Sequence, residues 1–211
     1  MSETRIVPAT DRASVEEAVR ILRRGGLVCY PTDTVYGIGA AAGDDAAVRR
    51  LFAVKGRSPD KALPLLLADT SDAARVADVT SLARALADRF WPGALTIVMR
   101  KAPSYRSLAL AGGETVALRV PNHDLVRAIV RMLGEPLTGT SANRADAPPP
   151  VSAAEVAFQM ADMVDLIING GLCRARVEST VVDITHDIPE VLREGPVSRN
   201  EIEEVVGGAV S

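Results

Sequence analysis

"YPTDTVYGIG", Tyr30–Gly39, follows the apolar run Leu27-Val28-Cys29. The run suits a short buried strand, and a plain turn would be enough to leave it. Instead the chain places Thr32, Asp33, Thr34, Tyr36, Gly37 and Gly39 in quick succession. Pro31 fixes φ, and the two glycines permit a close backbone approach to a ligand. Two readings stand side by side. The hydroxyls bond their own backbone in an ordinary turn, or they form one wall of a binding site where strands end.

Outward from this stretch, strand-like and helix-like patterns alternate. Short apolar runs occur at 27–30, 63–67, 95–99, 116–120, 137–138, 166–168, 180–184 and 190–193. Between them, Val15, Ala18, Val19 and Leu22 share one helical face that stops at Gly25. Leu82, Ala85, Leu86 and Phe90 share another, ending at Trp91-Pro92-Gly93. A further helix is expected from Asp124 to Leu133, ahead of Gly134, with His123 at its start. Ser14 with Glu17, Ser152 with Glu155 and Ser198 with Glu201 match the reciprocal capping box. The pattern predicts an α/β fold, a twisted mixed β-sheet flanked by helices, in which the adjacent runs 95–99 and 116–120 suggest hairpin or mixed pairing. "DAPPP", 146–150, is the best linker candidate.

Composition narrows the chemistry. With 211 residues, 47% hydrophobic and 24% charged, the chain can bury one large core. A formal net charge of −3 gives no general attraction to nucleic acid. Two cysteines without metal-like spacing and a polar start predict a cytosolic protein with reduced thiols. No apolar run approaches the ~20 residues of a spanning helix. Only His123 and His186 exist, so histidine-built zinc sites and histidine catalysis are poor fits.

Basic groups, hydroxyls and amides gather at strand ends. "VKGRSPDKALPL" carries Lys55, Arg57 and Lys61 within seven residues, a solvated face or a row of cations beside a sheet edge. In "ETVALRVPNH", Arg119 interrupts an apolar strand and requires a carboxylate of protein or ligand if buried. "LTGTSANRADAPPP" supplies Thr138, Thr140, Ser141 and Asn143, "VESTVVDI" supplies Ser179, and "VLREGP" supplies Arg193. Such a set suits positioning and electrostatic stabilisation of phosphate better than proton transfer, with nucleotidyl transfer as the sharpest class.

The blocks "GGLVCYPTDTVYGIGA", "VKGRSPDKALPL", "WPGALTIVM", "TVALRVPNH", "TSAN", "STVVDI" and "LREGPVS" stand in the order of the YrdC/TsaC family, which the chain resembles from about Ile21 to Glu204. These are threonylcarbamoyl-AMP synthases of tRNA threonylcarbamoyladenosine (t6A) modification. The resemblance implies a YrdC-like fold with a deep basic cleft, a single domain over 1–211, and a cytoplasmic nucleotidyltransferase. Its substrates would be L-threonine, bicarbonate and ATP with Mg²⁺, and its products threonylcarbamoyl-adenylate and pyrophosphate. The adenylate would pass to a separate tRNA threonylcarbamoyl transferase complex, with tRNA bound weakly or only indirectly and no membrane involved. Lys55, Arg57, Ser141 and Asn143 would surround the ATP phosphates and the reaction centre. Thr34, Tyr36 and Ser179 would line the threonine pocket, and Arg119 would clamp its carboxylate. Lys61, Thr115 and Arg193 would lie on the nucleotide side, and no side-chain metal ligands are implied.

Departures from the family pattern bear on the details. Leu66 stands where some relatives carry a threonine-contacting histidine, and "CRARVEST" is more charged than expected before Ser179. Two other readings compete. One is a double-stranded RNA or tRNA module without catalysis, which would bind in a salt-sensitive way. The other is a carbamoyl-adenylate domain like that of hydrogenase-maturation proteins, which sits in much longer chains.

Overall fold

The computed structural model describes residues 4–9, 12–145 and 147–211. Strand β2 (Val28–Tyr30) is buried along its whole length. Leu27 and Cys29 belong to one apolar core, Val28 and Tyr30 to a second on the opposite face. A strand covered on both sides reads as a continuous apolar run, which is why 27–30 lacks alternation.

Two mixed sheets form, where the sequence suggested one. The first has the order β1 (Arg5–Pro8), β9 (Leu166–Asn169), β2, β3 (Gly37–Gly39), β8 (Thr140–Ser141). The second has the order β11 (Glu190–Arg193), β10 (Thr180–Asp183), β5 (Leu95–Arg100), β6 (Thr115–Arg119), β4 (Leu65–Leu66), β7 (Leu137–Thr138). Strands β5 and β6 pair antiparallel, the hairpin-like one of the two arrangements the sequence left open. The strands that divide the sheets are too short for a sequence pattern. Chain crosses from β7 to β8 through the single residue Gly139, leaving one sheet and joining the other.

The glycines of the opening stretch have a protein neighbour. A Cβ on Gly37 would stand 2.6 Å from the Tyr30 ring, and one on Gly39 would stand 2.5 Å from the Thr138 carbonyl oxygen. Strand β3 therefore lies against β2 and the β7 turn at a distance only glycine allows. The close approach predicted for a ligand is to the protein itself.

Helices cover the sheets and set the site residues at their ends. Helices α1 (Arg12–Leu22) and α4 (Asp124–Leu133) pack together over the second core. Helix α4 buries Val126, Ile129, Val130 and Leu133 at helical spacing, and Gly134 ends it at φ 85°. His123 stands at the N-cap but makes no capping bond with its side chain. Helix α2 (Asp45–Lys55) starts under the Asp44 carboxylate and ends at Gly56, φ 61°, which sends Arg57 back toward the sheets. Helix α3 (Ser81–Phe90) is capped by Thr80.

The capping boxes divide three ways. Ser198 and Glu201 form the full reciprocal box of α6 (Arg199–Val206). Ser152 caps α5 (Ala153–Met160), while Glu155 reaches the Val151 N–H instead of that of Ser152. Ser14 lies within α1, buried in its first turn, and not ahead of the helix as the spacing with Glu17 suggested. Of the linker candidate, Asp146 lies outside the described residues, and 147–150 join β8 to α5. Among the described residues, no helix is long and apolar enough to cross a membrane.

Candidate active site

A cavity of about 660 Å³ opens between the Thr32–Gly37 loop, the loop after α2, and one face of the second sheet. All eleven residues that the resemblance assigns to the site line it: Thr34, Tyr36, Lys55, Arg57, Lys61, Thr115, Arg119, Ser141, Asn143, Ser179 and Arg193; Thr32 and Thr140 join them, whereas Asp33 and Thr138 do not. Leu66 lines it too, at the foot of the same wall. What the side chains do there differs from residue to residue.

Lys55 is the last residue of α2, and its side chain is buried. Its ammonium donates to the Ser141 carbonyl at 2.6 Å, the Asn143 carbonyl at 2.5 Å and Asn143 Oδ1 at 3.0 Å. An ammonium has three protons, and this cage accepts all of them. The Asn143 amide in turn donates to the Arg144 and Ala147 carbonyls. Lys55 and Asn143 thus hold the loop after β8 in place. Burial, with Arg57 nearby, pushes the Lys55 pKa down to about 8, while Glu178 and Cys29 act the other way.

Arg57 folds its own loop. Nε donates to the Lys61 carbonyl at 3.1 Å and Nη2 to the Ala62 carbonyl at 2.8 Å. Burial lowers its pKa, opposed by Glu178. Lys61 is exposed at the rim.

Arg119 ends β6, and its charge is buried. Nε donates to the Gly93 carbonyl at 2.9 Å, Nη1 to Thr34 Oγ1 at 2.9 Å, and Nη2 to Asp33 Oδ1 at 2.6 Å. The carboxylate partner demanded by a buried arginine is therefore Asp33 of the protein. Beyond Thr34 the hydroxyls form a relay. Thr32 Oγ1 donates to the Val35 carbonyl at 2.6 Å, so Thr34 Oγ1, 2.9 Å away, donates to Thr32. Thr32 thus follows the ordinary turn reading, whereas Thr34 serves Arg119.

On the far side, Arg193 donates through Nε to the Ser179 carbonyl at 2.9 Å and pairs through Nη1 with Glu178 at 3.0 Å. Ser179 Oγ meets Thr96 Oγ1 at 2.8 Å. Tyr36 presents its ring to the cavity, but its hydroxyl is spent: it donates to the Gly171 carbonyl at 2.9 Å and accepts from the Gly170 N–H at 3.0 Å. Thr115 sits half-buried on β6 opposite Arg100.

Three positions at the cavity were not among the site residues named from the sequence. Thr96 and Glu178 line the cavity, and Asp33 stands behind Arg119. Among the described residues, Glu178 is the one lining carboxylate, beside five lining cations, Lys55, Arg57, Lys61, Arg119 and Arg193. Asp33 was visible inside the opening stretch, but its partner lies 86 residues away and no local signal joins them.

Comparison with known proteins agrees with this architecture. The family Sua5_yciO_yrdC, described as "Telomere recombination", matches residues 20–195. A threonylcarbamoyl-AMP synthase of Pyrococcus abyssi is 40% identical over 90% of this chain and 56% of its own length. A putative threonylcarbamoyl-AMP synthase of Mycobacterium tuberculosis is 40% identical over 95% of this chain and 92% of its own length. The crystal structure of P. abyssi Sua5 complexed with L-threonine superposes with a TM-score of 0.93 at 37% identity, over 98% of this chain and 62% of that one. The chain thus spans a little over half the length of the first relatives it matches, 56% and 58%. With the family matched across 20–195 and the fold reproduced over 98% of the chain, the chain belongs to the Sua5/YciO/YrdC family.

Proposed function

We propose that the chain is a threonylcarbamoyl-AMP synthase that joins L-threonine, bicarbonate and ATP. The observation that carries this reading is the pairing, in one cavity, of a half-spent arginine fork with a lysine-held Ser-x-Asn loop. That cavity sits in a fold matching a Sua5 crystallised with L-threonine. Its volume, about 660 Å³, falls in the usual range for small-molecule sites.

In this reading Arg119 binds the amino-acid carboxylate bidentately, between Thr34 and the Thr96–Ser179 hydroxyl pair. The threonine amine takes up carbon from bicarbonate with loss of water. An oxygen of the resulting carbamate attacks the α-phosphorus of ATP, and pyrophosphate leaves. Arg57, Lys61 and Arg193 offset the phosphate charge, with Ser141, Asn143 and Thr115 alongside, and Lys55 contributes through the loop it holds. Among the described residues no cluster of three metal-ligand side chains occurs. Mg²⁺ would travel on the phosphates, the usual habit of this ion, and Glu178 is the carboxylate the lining offers it. When bound, the ion would neutralise charge on the departing pyrophosphate.

The adenylate would then pass to a separate transferase acting on tRNA in the cytoplasm. Direct tRNA affinity should be weak and salt-sensitive for a chain of net charge −3. Incubation with ATP, bicarbonate and single amino acids tests the proposal. Pyrophosphate release is expected with L-threonine and only when bicarbonate is present. Release without either, or none with both, would overturn the assignment.

A further inference from the structure

Arg119 carries five N–H groups, and protein acceptors take three of them, at Gly93, Thr34 and Asp33. Two remain, and the guanidinium lines the cavity while Asp33 does not. Asp33 stands behind the fork with 12% of its side chain exposed, against 8% for Arg119. Its Oδ1 also accepts the Asn122 N–H at 3.2 Å, and its backbone carbonyl accepts the Ala175 N–H at 3.1 Å. One bond thus holds the carboxylate and the other its backbone, independently of the arginine.

Without Asp33 the guanidinium would keep one carbonyl at Nε and one hydroxyl at Nη1. Neither anchors Nη2, the far tip of the fork. A planar fork left free at its tip can tilt, and bidentate recognition fails with small misplacements. We propose that Asp33 is a positioning residue for amino-acid recognition: it sets the Arg119 fork so that the two unspent N–H groups meet the substrate carboxylate. This rests on the synthase reading. It adds a residue outside the cavity whose effect falls on the amino acid and spares the nucleotide, because Lys55, Arg57 and the Ser141–Asn143 loop touch neither Asp33 nor Arg119 through any hydrogen bond.

The test compares Asp33→Ala, which removes the acceptor, with Asp33→Asn, which keeps an oxygen for Nη2 and for Asn122. Steady-state pyrophosphate release gives the L-threonine half-saturation, calorimetry gives ATP affinity, and thermal melting reports the fold. Asp33→Ala should raise the threonine half-saturation about ten- to hundredfold, as expected for a misplaced positioning contact, with turnover at saturation and ATP affinity little changed. Asp33→Asn should recover most of that loss. An unchanged half-saturation in Asp33→Ala overturns the proposal, and so does equal weakening of both ligands. A second readout is independent of substrate. The Arg119 guanidinium protons should exchange slowly by NMR in the wild type and in Asp33→Asn, and quickly in Asp33→Ala. A wild type that binds no L-threonine sinks the synthase reading, while the exchange pattern still decides whether Asp33 holds the fork.

Discussion

Lys55 and Arg119 are both buried cations on the wall of one cavity, and they are held in opposite ways. Lys55 ends a helix and meets three neutral oxygens of the loop after β8. Arg119 ends a strand and meets a carboxylate, a hydroxyl and a carbonyl. The kind of donor decides what is left over. Three neutral oxygens use up all the protons of an ammonium, so Lys55 acts through the loop. The same number of acceptors leaves a guanidinium two N–H groups, so Arg119 can touch a ligand while remaining anchored. Residues that look alike as basic motifs thus divide into a strut and a clamp.

The largest expected effect breaks the strut. Lys55→Ala would leave the Ser141 and Asn143 carbonyls and Asn143 Oδ1 without their donor. Each unsatisfied buried acceptor costs on the order of 1–3 kcal/mol, less where water reaches it. A loss of roughly 3 kcal/mol in unfolding free energy is expected, by comparison with other broken buried polar contacts. Pyrophosphate formation should fall by more than about a hundredfold. Chemical denaturation and turnover check the two parts. An unchanged midpoint would mean that Lys55 is no strut and would return it to the phosphates.

The clamp should fail more selectively. Arg119→Lys keeps a charge near Asp33 but cannot reproduce a planar fork with three anchors and two free groups. The threonine half-saturation should rise about tenfold or more, roughly 1.4 kcal/mol, while ATP affinity holds. Weakening of both ligands alike would mean that Arg119 organises the whole sheet. The comparison of strut and clamp would then collapse.

How much of this was legible depends on how local each signal is. Helix α4 was read to the residue, because its apolar spacing, the His123 start and the Gly134 stop all lie within a dozen positions. The Ser198–Glu201 box was legible for the same reason. Ser14 misled, since the same spacing occurs inside a first turn. The second sheet was hidden because β7 and β8 are two residues each and carry no period. At the site, the side chains named from the sequence line one cavity, but their bonds were not legible. Lys55 meets Asn143 across 88 positions and Arg119 meets Asp33 across 86, so only the folded chain tells strut from clamp.

The smallest expected effect is also the sharpest test of that division, because only one of the two cations titrates. The Lys55 pKa stands near 8 in the fold against 10.5 for an ordinary lysine. Between those values the unfolded chain binds more protons than the folded one, so the fold gains stability as pH rises through the window. The charged form is the one that burial penalises, and below pH 8 the penalty is carried in full. From pH 7 to pH 9 the gain should be roughly 1 kcal/mol, from the linkage between the two pKa values. Cys29 and Tyr30 have pKa values raised by burial and pull the other way at higher pH, so the range stops at 9. Denaturation midpoints of the wild type and Lys55→Met, followed across this range, cancel every other group. The difference should grow in favour of the wild type as the pH rises. Arg119, charged throughout this range, predicts no such slope for an Arg119→Met comparison below pH 9. A flat difference for Lys55→Met would show that the three oxygens offset the burial of the ammonium in full, and titration would then no longer tell the strut from the clamp.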